Sequence, residues 1–285
     1  MRLIMDKKCK HILISYADEN MKYSLKQWKL QACNIPLFDE VIAYTPKDLP
    51  DSIINHPLMK YQRGGGYWVW KPFLIWKTLQ DYPEGTKVFY MDAGCSVYPG
   101  KEWETFFSEL DNFDTLLFQY DNFIPSWEKH FGQGSSCICH WTKKNTLDFF
   151  DDYLGNTDFH NYNKVEGGYI FIKGRNNPFI KEWLTLTLDY PQLIIDPDEK
   201  EKNNQYAFFC GFHRHDQTIV TPLAYKFTNT KTVKVFPDVF DENPVSKVIR
   251  SSRNHITKSM YIKYCIKFHL RKILGDKAYE LLKRI

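Results

Sequence analysis

Short apolar runs alternate along the chain with segments whose apolar residues recur every three or four positions. The runs predict β-strands over His11–Tyr16, Glu40–Tyr44, Lys87–Met91, Thr115–Tyr120 and Tyr169–Lys173. The segments between them predict helices over Asn20–Cys33, Trp68–Asp81, Lys101–Leu110, Thr142–Tyr153, Pro178–Asp189 and Asp216–Phe227. Several strands, VFYM and YIFI among them, carry apolar residues on both alternating faces. Such strands are covered on both sides, which predicts an α/β fold with a mixed, mostly parallel central sheet flanked by helices. The stretch DPDEKEKNNQ (196–205) is polar throughout and reads as a mobile loop.

The 285 residues are 43% hydrophobic and 16% aromatic, enough apolar surface for a folded body of one large domain, or one domain with an appendage. The formal charge is +4, but it is unevenly spread. Residues 244–285 hold eleven Lys or Arg against two acids, a net +9, and the other 243 residues carry 27 against 32, a net −5. The expected division is an acidic catalytic body over 1–243 and a basic helical extension over 244–285. Within 258–285, Lys263, Lys267 and Arg271 recur at i, i+4 and i+8 beside Ile262, Cys265, Ile266, Phe268, Leu270 and Ile273. This suits a helix lying on an anionic membrane, and equally a helix docked on the body with a solvated basic face. Nucleic acid is not an expected partner. No run of about 18 apolar residues is present, so no membrane-spanning helix is expected. The apolar run near the N-terminus is too short for a secretion signal. The seven cysteines are scattered, and the one close pair, Cys137 and Cys139, lacks metal-site spacing. They read as reduced thiols, and the expected location is cytoplasmic, peripheral at the inner face of the membrane.

The segment K-V-F-Y-M-D-A-G (Lys87–Gly94) runs an apolar strand into an acidic residue followed by two small ones. In open α/β sheets ligands bind beyond the carboxyl ends of strands. Asp92 would stand there, and Ala93 and Gly94 would let a ligand approach the backbone. Such an Asp also commonly does no more than start a turn. Upstream, R-G-G-G-Y-W-V-W-K-P (Arg63–Pro72) joins three glycines to two tryptophans, with Arg63 and Lys71 as cations for an anionic group. Neither the dinucleotide fingerprint nor the phosphate-loop motif is present.

G-G-G-Y-W-V-W-K-P-F-L-I-W-K-T-L followed by V-F-Y-M-D-A-G-C resembles bacterial and viral nucleotide-sugar glycosyltransferases of the GT-A fold, above all those of capsule and O-antigen clusters. The resemblance covers roughly residues 12–227. It implies transfer of a sugar from a nucleotide-diphosphate donor, UDP-linked in the first instance, to a hydroxyl of a glycan acceptor, lipid-linked in many such enzymes. It further implies that Tyr16, Ala17 and Asp18 cradle base and ribose. Gly66 and Trp70 belong to the same donor site. In V-E-G-G-Y (165–169), Glu166, Gly167 and Gly168 would line the sugar pocket, with Glu166 as a possible base. In F-H-R-H-D-Q-T-I-V (212–220), Asp216 would take the acceptor's proton, and it equally fits a helix cap. His213 and His215 would contact phosphate. A divalent ion, Mn²⁺ or Mg²⁺, is implied through Asp92, with the late His255 as a second ligand. Gly94 stands where the family's second Asp would be, and Lys71 where relatives carry an acid, so a cation there would share in neutralising the diphosphate. Asp121, Trp127 and Glu128 follow another strand with no pattern that assigns them a role. Two other classes suit part of the pattern. A metal-dependent phosphoryl or nucleotidyl transferase or hydrolase would use Asp92 with His213 or His215. A non-catalytic carbohydrate-binding module would explain the tryptophans.

Overall fold

The computed structural model describes residues 9–132, 134–202, 212–228, 230–237, 248–252 and 255–275. Strands β1 (His11–Tyr16), β2 (Glu40–Tyr44), β3 (Lys87–Met91), β5 (Thr115–Gln119), β6 (Tyr169–Lys173) and β7 (Val233–Pro237) form one sheet, ordered β2-β1-β3-β6-β5-β7. The strands β4 (Ser96–Val97) and β8 (Ile249–Arg250) form a separate antiparallel pair. In the main sheet β6 runs against both its neighbours and the other five strands share one direction. The mixed, mostly parallel α/β sheet expected from the apolar runs is therefore present.

The period-two alternation of each strand feeds two apolar layers. Ile12, Ile14, Val88, Tyr90, Leu117, Ile170 and Ile172 face the helices Trp70–Asp81, Pro178–Asp189 and Gln217–Phe227. Leu13, Phe89, Met91, Leu116, Phe118 and Phe171 face the helices Lys22–Ala32 and Glu102–Asn112. Both faces of β1, β3, β5 and β6 are therefore covered, which is why these strands carry no polar face. Trp28, Trp103 and Trp183 are core residues of these layers.

Several pieces were not visible in the periodicity, the pair β4 and β8 and the helical turn Asp51–Ile54 among them. β7 (VKVFP) is half-buried and polar in part, an edge strand that borrows its order from β5. The helix Pro125–Phe131 is short, and its Trp127 sits in a small aromatic cluster with Tyr120 and Trp141. The polar stretch at 196–205 is not simply a loop: Glu199–Lys202 forms one helical turn, and Glu201 reaches Lys143 at 3.3 Å. Residues 203–205 lie outside the described residues, as does the division expected at 243/244. Beyond that point, Val248 and Ile249 are buried in the second layer, and the Ile256 N–H donates to Ser24 Oγ at 2.9 Å.

Asn177 ties three elements together. Its side-chain oxygen accepts the Ile180 N–H and so caps the helix that begins at Pro178. Its amide nitrogen lies 2.9 Å from Thr115 Oγ1 and 3.1 Å from the carbonyls of Asp114 and Lys173. The residue is buried, so removing it strands several polar groups away from water. Asn177→Ala is expected to cost about 2–4 kcal/mol in urea unfolding. Asn177→Asp, which keeps the cap but sets a buried carboxylate oxygen against the carbonyls of Asp114 and Lys173, should cost at least as much.

Candidate active site

The sheet brings distant segments together at one edge. β1 and β3 are parallel, so their carboxyl ends place Tyr16–Asp18 beside Asp92–Gly94. β6 is antiparallel, so its beginning rather than its end lies there, and Met91 pairs with Tyr169. The Asp92 N–H donates to the Gly168 carbonyl at 2.7 Å, fixing Glu166–Gly168 against Asp92.

The glycine triplet has a conformational reason. Gly64, Gly65, Gly66, Tyr67 and Trp68 all have positive φ, between 50° and 98°. The segment is a left-handed turn, with the Tyr67 N–H bonded to the Arg63 carbonyl and the Trp68 N–H to that of Gly64. Glycine enters this region freely, whereas Tyr67 and Trp68 incur roughly 1–2 kcal/mol each. The turn swings back into the helix Trp70–Asp81 and sets Trp70 against Tyr16, their rings stacked 4.0 Å apart. Trp70 Nε1 donates to the Gly64 carbonyl at 3.0 Å.

Lys71 follows at once, and its side chain is 1% exposed. Its ammonium donates to Asp216 Oδ2 at 2.6 Å and to the Gly167 carbonyl at 2.9 Å, and lies 3.3 Å from Asp92 Oδ1. Burial works against the charge, but Asp216 and Asp92 more than offset it and hold the ammonium above the usual lysine range. Asp92 also accepts the Tyr90 hydroxyl. Burial pushes the Asp92 carboxyl up, against the pull of Lys71. Asp216 Oδ1 accepts the Gln217 N–H at 3.0 Å, so the residue both caps its helix and anchors Lys71. Gly167 and Gly168 are glycines because carboxylates pack on them. A Cβ at 167 would stand 3.0 Å from Asp216 Oδ2, and one at 168 would stand 2.9 Å from Glu166 Oε1. Glu166 Oε1 accepts the Gly168 N–H at 2.9 Å.

Two adjoining cavities open at this edge. The first, about 440 Å³, is lined mainly by apolar and small groups: Tyr16, Ala17, Trp70, Ala93 and Gly94, with Asp18 and Gly65 on its rim. The second, about 230 Å³, is lined by polar and charged groups: Arg63, Lys71, Lys164, Arg214, His215, Asp216 and Gly167. Trp68, Asp92, Glu166 and Gly168 belong to both. Asp18 also caps the turn into the first helix, accepting the N–H groups of Asn20 and Met21 at 3.0 and 3.2 Å.

The expected site residues fall in different places. Lys71 lines the second cavity with its ammonium engaged by Asp216, Asp92 and the Gly167 carbonyl. Gly66 lines neither cavity, because it packs on Met59, whose sulfur would stand 2.6 Å from a Cβ there. His213 is buried with both ring nitrogens engaged. Nδ1 accepts the Lys143 N–H at 3.2 Å and Nε2 faces the Leu193 carbonyl at 2.8 Å. That pattern fixes a neutral ring, and burial keeps its pKa well below the usual histidine value. It lines neither cavity. His215 lines the second cavity, with Nδ1 on the Ile194 carbonyl at 2.9 Å and its ring stacked on Trp68. Arg63 lines the same cavity and pairs with Asp196 at 3.3 Å. His255 is exposed and lines neither cavity. Its neighbours Arg253 and Asn254 lie outside the described residues. Asp121 and Glu128 are exposed away from both cavities, whereas Trp127 lines the second. The periodicity gave no sign of Lys164 and Arg214. Each stands two residues before a site carboxylate, in K-V-E and R-H-D.

A divalent ion, which the Asp-containing motif implies, does not fit these residues. The Lys71 ammonium already occupies the space between Asp92 and Asp216 from which an ion would draw its ligands, and Gly94 offers no side chain. Among the described residues no three of His, Cys, Asp or Glu stand together as ligands would. Lys71→Met leaves two carboxylates without their cation and is expected to cost about 3–5 kcal/mol in denaturant unfolding. Added Mn²⁺ should recover part of that loss in the variant and leave the wild-type melting temperature unmoved. A Mn²⁺-dependent rise in wild type that Asp92→Asn removes would overturn the assignment.

No protein-family model matches the chain, and no curated protein matches it. Among solved structures, mouse xyloside xylosyltransferase 1 is similar at 11% identity and a TM-score of 0.44, over 82% of this chain and 87% of that one. A glycosyltransferase involved in glycosylating the major capsid of PBCV-1 is similar at 11% identity and 0.43, over 92% and 100%. The glycosyltransferase GlyE of Streptococcus pneumoniae is similar at 13% identity and 0.43, over 92% and 63%. At these values the likenesses assign no activity.

Proposed function

We propose that the chain is a glycosyltransferase that holds a nucleotide-diphosphate sugar in the first cavity and passes the sugar to a hydroxyl of a glycan in the second. The observation that supports this is the pair of cavities meeting at Asp92 and Glu166. A transferase needs two binding sites that share one reacting edge, and a hydrolase or a simple binding module does not. The first cavity suits a nucleoside: the stacked Tyr16 and Trp70 give a flat apolar wall, Asp18 offers an acceptor to a base or ribose, and Ala93–Gly94 leave the backbone open. UDP is the first nucleotide to try, and a surface glycan the first acceptor class.

The two candidate bases differ in their surroundings. Both oxygens of Asp216 are held, one by Lys71 and one by the Gln217 N–H. Glu166 Oε1 is also held, by the Gly168 N–H, but Glu166 stands where the two cavities meet and Asp216 lines only the second. Glu166 therefore takes the proton of the attacking hydroxyl, and Asp216 positions Lys71 and through it Asp92. Thermal shift should show stabilisation by one nucleoside diphosphate, and no response to any would count heavily against the reading. Glu166→Gln should keep that stabilisation and lose about 10²–10⁴-fold in transfer. Near-normal turnover in this variant with Asp216→Asn inactive would return the base to Asp216.

The C-terminal helix supports a membrane-facing role. Over Lys258–Leu274 it turns Tyr261 toward Tyr23 of the helix Lys22–Ala32, with ring centroids 5.9 Å apart. Ile262, Ile266, Leu270 and Ile273 share the outer side and are exposed, Ile273 at 78%. Lys263, Lys267 and Arg271 run alongside them, also exposed. Among the described residues no helix is long and apolar enough to cross a membrane. An apolar stripe flanked by a basic one suits adsorption to an anionic bilayer, where a lipid-linked acceptor would be met. Flotation with phosphatidylserine vesicles should recover the wild type and lose Ile266→Asp/Leu270→Asp. Equal recovery of the two proteins would sink the membrane role.

A further inference from the structure

The carboxyl ends of β5 and β7 carry a third cavity. The two strands are parallel, and their register sets Gln119 beside Pro237 at the edge where β1 and β3 also end. The cavity there measures about 460 Å³. Its lining includes three side-chain amides, Gln119, Asn122 and Asn163, and two aromatic rings, Tyr162 and Phe236. Tyr120 lines both this cavity and the second, as Asp92 and Glu166 line both the second and the first. In the sheet order β1-β3-β6-β5-β7 the three cavities therefore follow one another along one edge. At the usual strand spacing β3 and β7 stand roughly 14 Å apart, longer than one sugar ring.

The amides are set in advance. Gln119 Nε2 donates to the Asn163 carbonyl at 2.8 Å, and Asn163 Nδ2 to Asn122 Oδ1 at 2.5 Å. Those bonds leave two acceptors, Gln119 Oε1 and Asn163 Oδ1, and one donor, Asn122 Nδ2, without a partner among the described residues. Neither acceptor is sealed from solvent, and Asn122 is exposed. The Thr228 hydroxyl donates to the Ala224 carbonyl at 2.6 Å, so the Tyr162 hydroxyl donates to Thr228 Oγ1 at 2.9 Å, which pins the tyrosine ring. Phe236 is backed by Phe118, their rings stacked 5.8 Å apart. Among the described residues no Lys or Arg lines the cavity, and its one carboxylate, Asp121, is exposed. An anionic ligand therefore gains no ion pair there. A sugar chain suits the set, because its hydroxyls exchange hydrogen bonds with amides and the C–H faces of its rings lie on aromatic side chains.

We infer that the third cavity binds the uncharged sugar residues of a glycan that stand behind the one in the second cavity, so that the acceptor is an oligosaccharide or longer chain rather than a single sugar. That these residues belong to an acceptor rests on the glycosyltransferase reading. The binding of a sugar chain by the cavity does not. The test is a chain-length series followed by ligand-observed NMR and calorimetry. Methyl glucoside, methyl galactoside and methyl mannoside are each titrated beside the di-, tri- and tetrasaccharides of the same sugar, with and without UDP.

In at least one series the longer members should bind roughly tenfold tighter than the monosaccharide. Asn163→Ala should remove that gain and leave monosaccharide and UDP affinity within about twofold of wild type. Asn122→Ala, at an exposed position, should do the same, and it carries the test if Asn163→Ala does not fold. Affinity that does not rise with chain length in any series, absence of sugar binding included, would overturn the inference. So would a gain that survives both substitutions, or a loss of UDP affinity of about tenfold in either variant. A length gain that depends on Asn163 in a protein that binds no nucleotide would uphold the third cavity as a sugar-chain site and sink the glycosyltransferase reading. Nucleotide binding with no length gain would do the reverse.

Discussion

One buried ammonium joins four separate stretches of this chain. Lys71 leaves the first turn of its helix, meets Asp92 past the end of β3, the Gly167 carbonyl ahead of β6, and Asp216 at the head of another helix. Each partner alone would be unfavourable in a buried setting, and a lone buried lysine would be worse. Together they neutralise one another, and the geometry of the edge is fixed by that mutual dependence. The glycines at 167 and 168 follow from it, because the carboxylates lie against bare backbone. So does the left-handed turn at 64–68, which delivers Lys71 inward while leaving Trp68 and Trp70 along the cavities.

The same constraint divides the labour of charge. A cation committed to internal carboxylates leaves the cavity's outward positive charge to other residues. Arg63, Lys164 and Arg214 line the second cavity; Arg63 pairs with Asp196, and the other two lie against aromatic rings. The first cavity is apolar and flat-walled and the second charged, so ligands of different chemistry meet at a shared rim. The histidines next to Arg214 serve the frame. His213 bonds on both sides, and His215 holds φ at 47°, a strained value for a non-glycine residue that turns the chain into the Asp216 cap.

Much of this was legible in the residues. The five predicted strands were found with boundaries within a residue; β1, β3, β5 and β6 are buried on both faces and have nothing polar to blur them, and the edge strand β2 was found from its short apolar run. Asp92, Glu166 and Asp216 were recognisable as acids beside glycines or at a helix start, and they do converge. The edge strand β7 was not legible, since half its residues face water and its pairing comes from β5. Nor were Lys164 and Arg214, because a cation's contact with aromatic rings from other segments leaves no spacing to read.

The sequence by itself determined the layers. Period-two runs dictate which side chains enter each face of the sheet, and the glycine triplet dictates a turn that other residues would resist. What it left open was direction and partnership. β6 looked like any other apolar strand, and only the assembled sheet reversed it, setting Glu166 beside Asp92 instead of at the far edge. Lys71 looked like a cation for a ligand, and only the folded chain supplied the two carboxylates and the carbonyl that claim it. Local patterns encode burial, which is a property of each segment. The pairing of charges depends on distances between segments, and those exist only once the sheet has closed.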